Sequence, residues 1–246
     1  MTIKVAVLGA HGRMGSAAVT AVSNAPDLEL VAALGRGDSL DRALKATHLV
    51  DLTVPDATAD NVRFAVENGI HAVVGTTGWT SERMAQLETQ LAEHPTTGVL
   101  IAPNFALGSV LATSFASFAA KFFESAEIIE LHHPDKVDAP SGTALRTAEL
   151  MAEAREDAGL AVSPDATTTD PDGARGAKIH NINIHSVRLR GLTAHQEVLL
   201  GNAGEQLTIR HDSFDRESFM PGVLLGLRKV AENPGLTYGL DGYLNL

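Results

Sequence analysis

The sequence contains no cysteine, and only 4% of its 246 residues are aromatic. Without cysteine the chain can form neither a disulfide framework nor a thiolate metal site, which fits a protein of the reducing cytoplasm. Basic residues are also scarce, since 19 Lys and Arg stand against 30 Asp and Glu, a formal net charge of −11. Nucleic acids and anionic membranes require a basic face. We therefore expect neither as a partner, and any anionic ligand must meet local positive groups.

The sequence also lacks a long hydrophobic run. The longest uncharged, mainly apolar stretch, residues 105–120, is interrupted by Gly108 and several hydroxyl residues. It is shorter than the roughly 20 residues of a membrane-spanning helix, so a buried helix is the better interpretation. The first residues do not resemble a signal peptide, and we expect a cytoplasmic protein. With 44% hydrophobic residues, the chain can bury a substantial core in one large or two smaller domains.

A glycine motif follows the first apolar run. Residues 3–8 predict a buried strand, and Gly9, Gly12 and Gly15 then stand at G-x-x-G-x-x-G spacing before a helical pattern. A strand, a glycine-rich turn and a helix in this order indicate a dinucleotide-binding unit. The spacing departs from the common G-x-G-x-x-G, and a glycine turn without a ligand gives the same pattern.

Strands alternate with helices over the first hundred residues. Further strands are predicted at residues 28–34, 49–54, 70–74 and 99–102, with a loop TVPDAT at 53–58 and helices at 61–68 and 80–93. This alternation predicts a doubly wound parallel sheet whose ligand crevice lies along the carboxyl ends of its strands. The loops after the first, second, fourth and fifth strands form the expected cofactor site.

The residues after the second strand bear on the choice of cofactor. An NAD-preferring site places Asp or Glu there for the ribose hydroxyls, but this chain has Gly35 followed by Arg36. A guanidinium can hold the extra phosphate of NADPH through a bidentate pair, with His11 and Arg13 as possible helpers. The alternative is that Arg36 is an ordinary solvated residue. We expect NADPH and NADH both to be used, with NADPH bound at least as well.

The pattern changes after a predicted helix at residues 105–123. Three strand-like runs, at 179–189, 196–200 and 206–210, are separated by short turns, which predicts an antiparallel meander. The apolar phase of the first run changes along its length, which predicts a bulge near His185. A parallel first half and an antiparallel second half indicate two domains. A last helix is predicted to start at Pro221 and to stop before Pro234.

Residues Glu127–Ala144, EIIELHHPDKVDAPSGTA, form the signature segment. A short buried strand brings His132 and His133 to its end, and a loop with Lys136 follows. A helix then opens at residues 140–143 and runs to about 158. Its start directs free N–H groups and a positive dipole end outward, which suits an anion. Two imidazoles, an ammonium and an anion seat within one short segment are typical of an active site.

Other interpretations of these residues are possible. A lone histidine is usually a core residue, and adjacent histidines with Asp135 are possible metal ligands. Neighbours on a strand point to opposite faces, however, so His132 and His133 do not readily hold one ion, and we expect no metal. A Ser-His hydrolase could use Ser141, but Ser141 lies in P-S-G and not in a G-x-S-x-G elbow.

The signature segment resembles that of the dihydrodipicolinate reductase family, and the similarity extends over essentially the whole chain, including the glycine motif. The positions that carry it are Glu127, Glu130, His132, His133, Lys136, Asp138, Pro140, Ser141, Gly142, Thr143 and Ala144. The resemblance and the patterns together predict an α/β fold. A Rossmann-type doubly wound parallel sheet (1–105 and 217–246) binds the dinucleotide. An α+β domain with a mostly antiparallel sheet (106–216) binds substrate and forms the oligomer.

The resemblance implies an NADPH- or NADH-dependent oxidoreductase of diaminopimelate and lysine biosynthesis. Its substrate is 4-hydroxy-tetrahydrodipicolinate or dihydrodipicolinate, a small cyclic dicarboxylate made from aspartate semialdehyde and pyruvate, and the enzyme is a homotetramer. The alternatives are a non-catalytic NAD(P)-binding sensor and another NAD(P)-dependent reductase of a small dicarboxylate. A sensor needs no proton donor, so turnover distinguishes it from an enzyme.

The resemblance also implies roles for individual residues. His132 and Lys136 are proton donors, and His133, Gly142 and Thr143 bind substrate. Ser141 at the helix start and Arg216 before the last helix are further candidates for the substrate site, although Arg216 can equally be a surface residue. Besides Gly35 and Arg36, the cofactor site comprises Gly9, Ala10, His11, Gly12, Arg13, Met14, Gly75, Thr76, Thr77, Ala102, Pro103, Asn104 and Phe105.

Overall fold

The computed structural model describes residues 2–244, which fall into two compact units. The first unit takes the chain as far as Leu107 and again from Arg216 onward, and the second is the continuous segment Gly108–Asp215. Every helix among the described residues is too short or too polar to cross a lipid bilayer.

Within residues 2–244 the chain forms eleven strands and six α-helices. The strands are β1 (Ile3–Leu8), β2 (Leu28–Leu34), β3 (His48–Asp51), β4 (His71–Val74), β5 (Gly98–Ile101), β6 (Ser125–His132), β7 (Ala177–Ile179), β8 (Ile182–Arg188), β9 (Ala194–Asn202), β10 (Glu205–Ser213) and β11 (Gly235–Tyr238). The helices are α1 (Arg13–Asn24), α2 (Pro55–Glu67), α3 (Ser81–Glu93), α4 (Leu107–Ala120), α5 (Gly142–Asp157) and α6 (Met220–Lys229). Short 3-10 turns lie at Leu40–Ala43, Pro171–Gly173, Arg216–Phe219, Val230–Glu232 and Asp241–Tyr243.

The first unit is built on a parallel sheet with the strand order β11-β5-β4-β3-β1-β2. All residues of β3 and β5 are buried, as are the last four of β1. These strands are buried on both faces because helices cover both sides of the sheet. The predicted doubly wound parallel architecture is confirmed.

The prediction of a loop at residues 53–58 is wrong, because α2 already begins at Pro55. Proline has no N–H to lose at the first helical position, and its fixed φ suits a helix start. Val54 before it is extended, with φ −130° and ψ 156°, as the ring of a following proline requires. β3 accordingly ends at Asp51 and not at residue 54.

Strand β11 was not anticipated from the sequence. It follows the turn after α6 and pairs in parallel with β5, in the register Leu236↔Val99. Its residues GLTY are at most half-buried, so it lacks the buried apolar run that marks the inner strands. The residues after the second unit therefore complete the sheet of the first.

The second unit has a mixed, mostly antiparallel sheet with the strand order β10-β9-β6-β8-β7. The predicted meander is wrong in its connectivity, because β6 of the signature segment lies between β8 and β9. It runs parallel to β8 and antiparallel to β9. The core on one face of the sheet joins Ile128, Ile184 and Val198 to apolar residues of α4 and α5.

The predicted bulge near His185 is also wrong. The pairing of β6 with β8 runs without a shift from Glu127↔Asn183 to His132↔Arg188. The first strand-like run is instead broken into a hairpin at His180 and Asn181, whose φ angles are 45° and 70°. The apolar phase changes because Arg188 replaces an apolar residue on the core face, while Val187 lies on the opposite face.

Two histidines pack together at the amino-terminal edge of the parallel sheet. His48 and His71 are partners in register, and their ring centroids lie 4.9 Å apart. Nδ1 of His71 accepts a hydrogen bond from the Gly98 N–H at 3.0 Å. Burial, with a smaller contribution from His71, lowers the pKa of His48 to about 4, and burial also lowers the pKa of His71.

These pKa values predict acid sensitivity of the first unit. The folded-state pKa of His48 lies below its unfolded value of 6.5, so between these values the unfolded state binds more protons. The free energy of unfolding should therefore fall as the pH drops from 6.5 to about 4, by up to roughly 3 kcal/mol from His48. Urea unfolding at several pH values, followed by circular dichroism, measures this slope.

Replacing His48 by Gln should flatten that slope, because the titrating imidazole is gone. His180→Asn is the matched control, since His180 is exposed and asparagine tolerates its positive φ. An unchanged slope in His48→Gln, or an equal flattening in both variants, would contradict the assignment.

Candidate active site

The glycine loop connects β1 to α1. Gly9 has a positive φ of 75°, and a Cβ at this position would clash with the carbonyl of Leu52. A Cβ at Gly15 would clash with the Gly9 carbonyl, so two of the three glycines are required by close backbone approach. Gly12 caps α1, and no side chain among residues 2–244 hydrogen-bonds there. The first N–H groups of α1 are therefore open to an anion, such as a pyrophosphate.

The loop after β2 contains a contact that the sequence did not indicate. A Cβ at Gly35 would run into the imidazole of His11, so the ring occupies the space of an acidic side chain at this position. The Gly35 N–H donates to Asp38 at 2.8 Å. This hydrogen bond and the salt bridge with Arg42 lower the pKa of Asp38. Arg36 is exposed, and the described residues offer it no hydrogen-bond or ion-pair partner.

A buried polar network supports the loop after β4. Asp51 has no exposed surface, and its Oδ1 accepts hydrogen bonds from the N–H and hydroxyl of Thr53 at 3.0 and 2.5 Å. The hydroxyl of Thr76 accepts from the Thr53 N–H at 2.9 Å. Within the described chain, Oδ2 of Asp51 has no hydrogen-bond partner. Thr77, by contrast, is exposed.

Gly75 and the residues after β5 lie against each other. A Cβ at Gly75 would lie 2.8 Å from the Phe105 ring, and Phe105 itself is buried. The Ala102 N–H donates to the Val74 carbonyl, and Asn104 accepts from the Ala106 N–H. All these loops leave the carboxyl ends of parallel strands, so the first unit brings the predicted cofactor residues to one edge of its sheet.

The signature segment of the second unit is organised around Glu130. This residue has no exposed surface. Its Oε2 lies 2.5 Å from Nδ1 of His132. Arg188 holds it with two nitrogens, each at 2.8 Å, and the Ser141 N–H donates to it at 3.2 Å. His132, Ser141 and Arg188 therefore give the carboxylate four hydrogen bonds, and the two from Arg188 form a bidentate pair.

Opposing effects act on the pKa of Glu130. Burial raises it, but hydrogen bonds from His132, Arg188 and Ser186 lower it more, and the result is a pKa of about 2. Glu130 is therefore an anion at neutral pH. Because it accepts at Nδ1 of His132, this nitrogen carries a proton, and Nε2 is the ring atom left for a substrate.

The loop after β6 places Lys136 beside Asp138, with Nζ 2.7 Å from Oδ1. The hydrogen bond from Lys136 and that from the Gly142 N–H contribute to lowering the pKa of Asp138. Only 21% of the Lys136 side chain is exposed. The ammonium is thus held in one position and is not a freely solvated group.

The predicted helix start is confirmed. Ser141 caps α5, and its hydroxyl accepts from the Ala144 N–H at 3.2 Å. Its hydroxyl oxygen is therefore engaged in the cap, while Gly142 and Thr143 form the first turn. His133 is half-buried, and no described residue hydrogen-bonds to its imidazole. Its ring nitrogens remain available to a ligand.

Arg216 is the one predicted substrate residue outside the second unit. It lies exposed at the start of the 3-10 turn Arg216–Phe219, which belongs to the first unit. The other candidates for the substrate site, from His132 to Thr143, all lie in the second unit.

Three contributors to these sites were missed from the sequence. Asp38 fixes the loop of Gly35, Asp51 supports Thr76, and Arg188 neutralises Glu130. Arg188 lies 58 positions from Glu130, so no local spacing could indicate it. The order Gly35-Arg36-Gly37-Asp38 did contain an indication, because aspartate commonly accepts from a backbone N–H within a turn.

Two family models match the chain. "Dihydrodipicolinate reductase, N-terminus" covers residues 3–105, and "Dihydrodipicolinate reductase, C-terminus" covers residues 108–244. Proteins named 4-hydroxy-tetrahydrodipicolinate reductase are similar over their full length. That of Streptomyces griseus is 62% identical over 99% of this chain and 98% of the relative. That of Nocardia farcinica is 59% identical over 100% of both.

A solved structure agrees with these sequences. Dihydrodipicolinate reductase from Paenisporosarcina sp. TG-14, with dipicolinate bound, is 39% identical and superposes with a TM-score of 0.87 over 98% of this chain and 99% of that one. Both family models and full-length relatives agree, so the chain belongs to the dihydrodipicolinate reductase family.

Proposed function

We propose a role for each site residue in the reaction of this family. The chain is an NAD(P)H-dependent oxidoreductase that reduces 4-hydroxy-tetrahydrodipicolinate, or dihydrodipicolinate, to tetrahydrodipicolinate. The reaction belongs to diaminopimelate and lysine biosynthesis. A bound NADPH or NADH supplies the hydride, which no protein side chain can do. The chain's own residues must bind two substrate carboxylates and deliver a proton.

The geometry of His132 carries the proposed mechanism. Its Nδ1 is engaged by the buried Glu130 at 2.5 Å, so Nε2 is the atom that faces a reacting group. Lys136, held by Asp138, is the second candidate donor. When hydride arrives at the substrate, electrons move to a neighbouring carbon or nitrogen, and His132 or Lys136 gives the proton that this atom needs.

The substrate carboxylates are assigned to the start of α5 and its surroundings. The N–H group of Thr143, its hydroxyl and the imidazole of His133 can donate to carboxylate oxygens. Gly142 carries no side chain and has open space beside it, so a carboxylate can approach the helix start closely. Ser141 contributes mainly by capping this helix. The dipicolinate bound to the Paenisporosarcina enzyme is a dicarboxylate of the same size class, which supports this assignment. Arg216 is a further candidate to bind a carboxylate.

The cofactor is assigned to the carboxyl edge of the parallel sheet. The glycine loop fits a pyrophosphate because backbone, without side chains, lines it at Gly9, Gly12 and Gly15. In this proposal residues 1–105 and 217–246 form the dinucleotide-binding domain, and residues 106–216 bind substrate and form the oligomer. The other cofactor contacts come from residues 10–14, 35–36, 75–77 and 102–105.

The second unit also supports the proposed homotetramer. One face of its sheet is covered by α4 and α5. On the opposite face Ile129, Leu131, Val187 and Leu199 are only half-buried. Half-buried apolar side chains on a sheet face favour association with further copies. We also propose a cytoplasmic location, which suits an enzyme that draws on reduced nicotinamide nucleotides.

Turnover tests the activity itself. With substrate generated continuously from aspartate semialdehyde and pyruvate by a coupling enzyme, NADPH absorbance should fall in proportion to the amount of this protein. A nucleotide-binding sensor would bind NADPH without this decrease.

The roles of the two histidines predict different kinetic effects. His132→Ala should lower kcat by about 100-fold to 10,000-fold, because a positioned proton donor acts mainly in the transition state. His133→Ala should mainly raise KM, because it binds a substrate carboxylate. If both variants lose only substrate affinity, His132 is a carboxylate ligand and Lys136 becomes the sole candidate acid.

Arg36 should distinguish the two cofactors. Arg36→Ala should raise KM for NADPH by about 10-fold, the order of one charge-assisted hydrogen bond, and leave KM for NADH nearly unchanged. Arg63→Ala is the matched control, because Arg63 is another exposed arginine of the first unit, paired only with Asp60 among described residues through its side chain. An equal effect of Arg36→Ala on both cofactors would show that Arg36 does not bind the phosphate.

The homotetramer predicts a mass in solution of four times the 25.9 kDa chain. Light scattering coupled to gel filtration measures it. Leu131→Lys, which places a charge on the half-buried sheet face, should shift the mass to smaller species, whereas a single-chain mass for the unmodified protein would refute the assembly.

A further inference from the structure

We propose that Glu130 and Arg188 form a positioning pair that fixes both candidate proton donors, His132 on the strand and Lys136 on the loop. The inference rests on the proposed function, because it concerns how the same site is held together. Neither residue of the pair is assigned a contact with substrate or cofactor. Both act through the groups that they hold.

Glu130 is completely buried. It projects from the central strand β6 to the face covered by helices, opposite Ser186 on β8 and Gln196 on β9. A carboxylate without exposed surface is strongly unfavourable unless a cation and hydrogen-bond donors compensate it. Arg188 supplies the cation and a bidentate fork at 2.8 Å. The pair therefore has one well-defined geometry, unlike the exposed ion pairs of the surface.

Glu130 fixes the tautomer of His132. Because Glu130 accepts at Nδ1, the neutral ring is held as the Nδ1–H tautomer, and the charged ring is stabilised by the nearby anion. When the imidazolium acts as the acid, the N–H bond at Nε2 breaks and its proton goes to the substrate atom. The ring becomes neutral, and its Nδ1–H stays with Glu130. The ring needs neither to rotate nor to change tautomer during the transfer.

Arg188 is connected to Lys136 through Asp138. One guanidinium nitrogen of Arg188 donates both to Glu130 and to the Asp138 carbonyl, the latter at 2.7 Å. The carboxylate of the same Asp138 accepts from Lys136 at 2.7 Å. Arg188 thus holds the loop that carries the Lys136 ammonium against strand β6. A lysine at position 188 would keep the charge but could not reproduce this planar set of contacts.

The test begins with Glu130→Gln and Arg188→Lys. Each should lower kcat by about 100-fold, the lower range of what general-acid catalysis contributes, while KM changes by less than about threefold. Arg228→Lys is the control, because it makes the same change at the bidentate Arg228–Asp27 pair of the first unit and should leave both constants unchanged. Glu130→Asp, which keeps the anion, should recover part of kcat.

A spectroscopic readout separates positioning from catalysis. Nitrogen NMR of the His132 ring in the full-length protein should show the Nδ1–H tautomer in the unmodified chain and a mixture of tautomers in Glu130→Gln. This measurement needs neither substrate nor cofactor. An unchanged tautomer in Glu130→Gln would overturn the role of Glu130, whatever the kinetics show.

Loss of folding in the single variants is addressed by a double variant. Glu130→Gln with Arg188→Met removes both charges, so no unpaired ion remains buried. If this folded variant is no less active than either single variant, the two residues act as one unit. Full kcat in folded Arg188→Lys or Glu130→Gln refutes the pair even if His132→Ala is inactive. Unchanged kcat in His132→Ala and Lys136→Ala would instead refute the proposed donors.

Discussion

A carboxylate buried inside a sheet governs the arrangement of the second unit. Glu130 must be neutralised where it stands, and the cation comes from Arg188 on a strand laid parallel to its own. The register that meets this requirement also pairs Ile128 with Ile184 in the core. A slip of one residue would turn every side chain to the other face. It would remove Arg188 from the carboxylate and Ile184 from the core at once.

The first unit follows a different constraint, the close approach of backbone to backbone. Gly9 lies against Leu52 and Gly15 against Gly9, so α1 can pack tightly on the sheet with its amino terminus at the strand ends. The polar network of Asp51 and Thr76 then fixes a neighbouring loop at the same edge. One unit thus offers backbone N–H groups to a ligand, whereas the other offers side chains whose charges are held in place by buried partners.

Features set by local sequence were predictable. The strand, glycine turn and helix at residues 3–24 follow from periodicity and glycine spacing, and the cap at Ser141 follows from residue type. Features set by distant pairing were not. The position of β6 between β8 and β9, the salt bridge of Arg188 and the edge strand β11 depend on which segments meet in three dimensions. The loop predicted at 53–58 is a helix start instead, because Pro55 occupies the first position of α2, where its missing N–H costs nothing.

The late position of β11 has a consequence for the order in which the protein forms during synthesis. Strand β5 pairs with β11 on one side, yet all of Gly108–Asp215 is translated between the two. Because domains fold as units while they emerge from the ribosome, the second unit can complete its core first, from one uninterrupted stretch of chain. Translation begins with the first unit. Its sheet nevertheless keeps an unpaired edge at β5 until β11 has been synthesised.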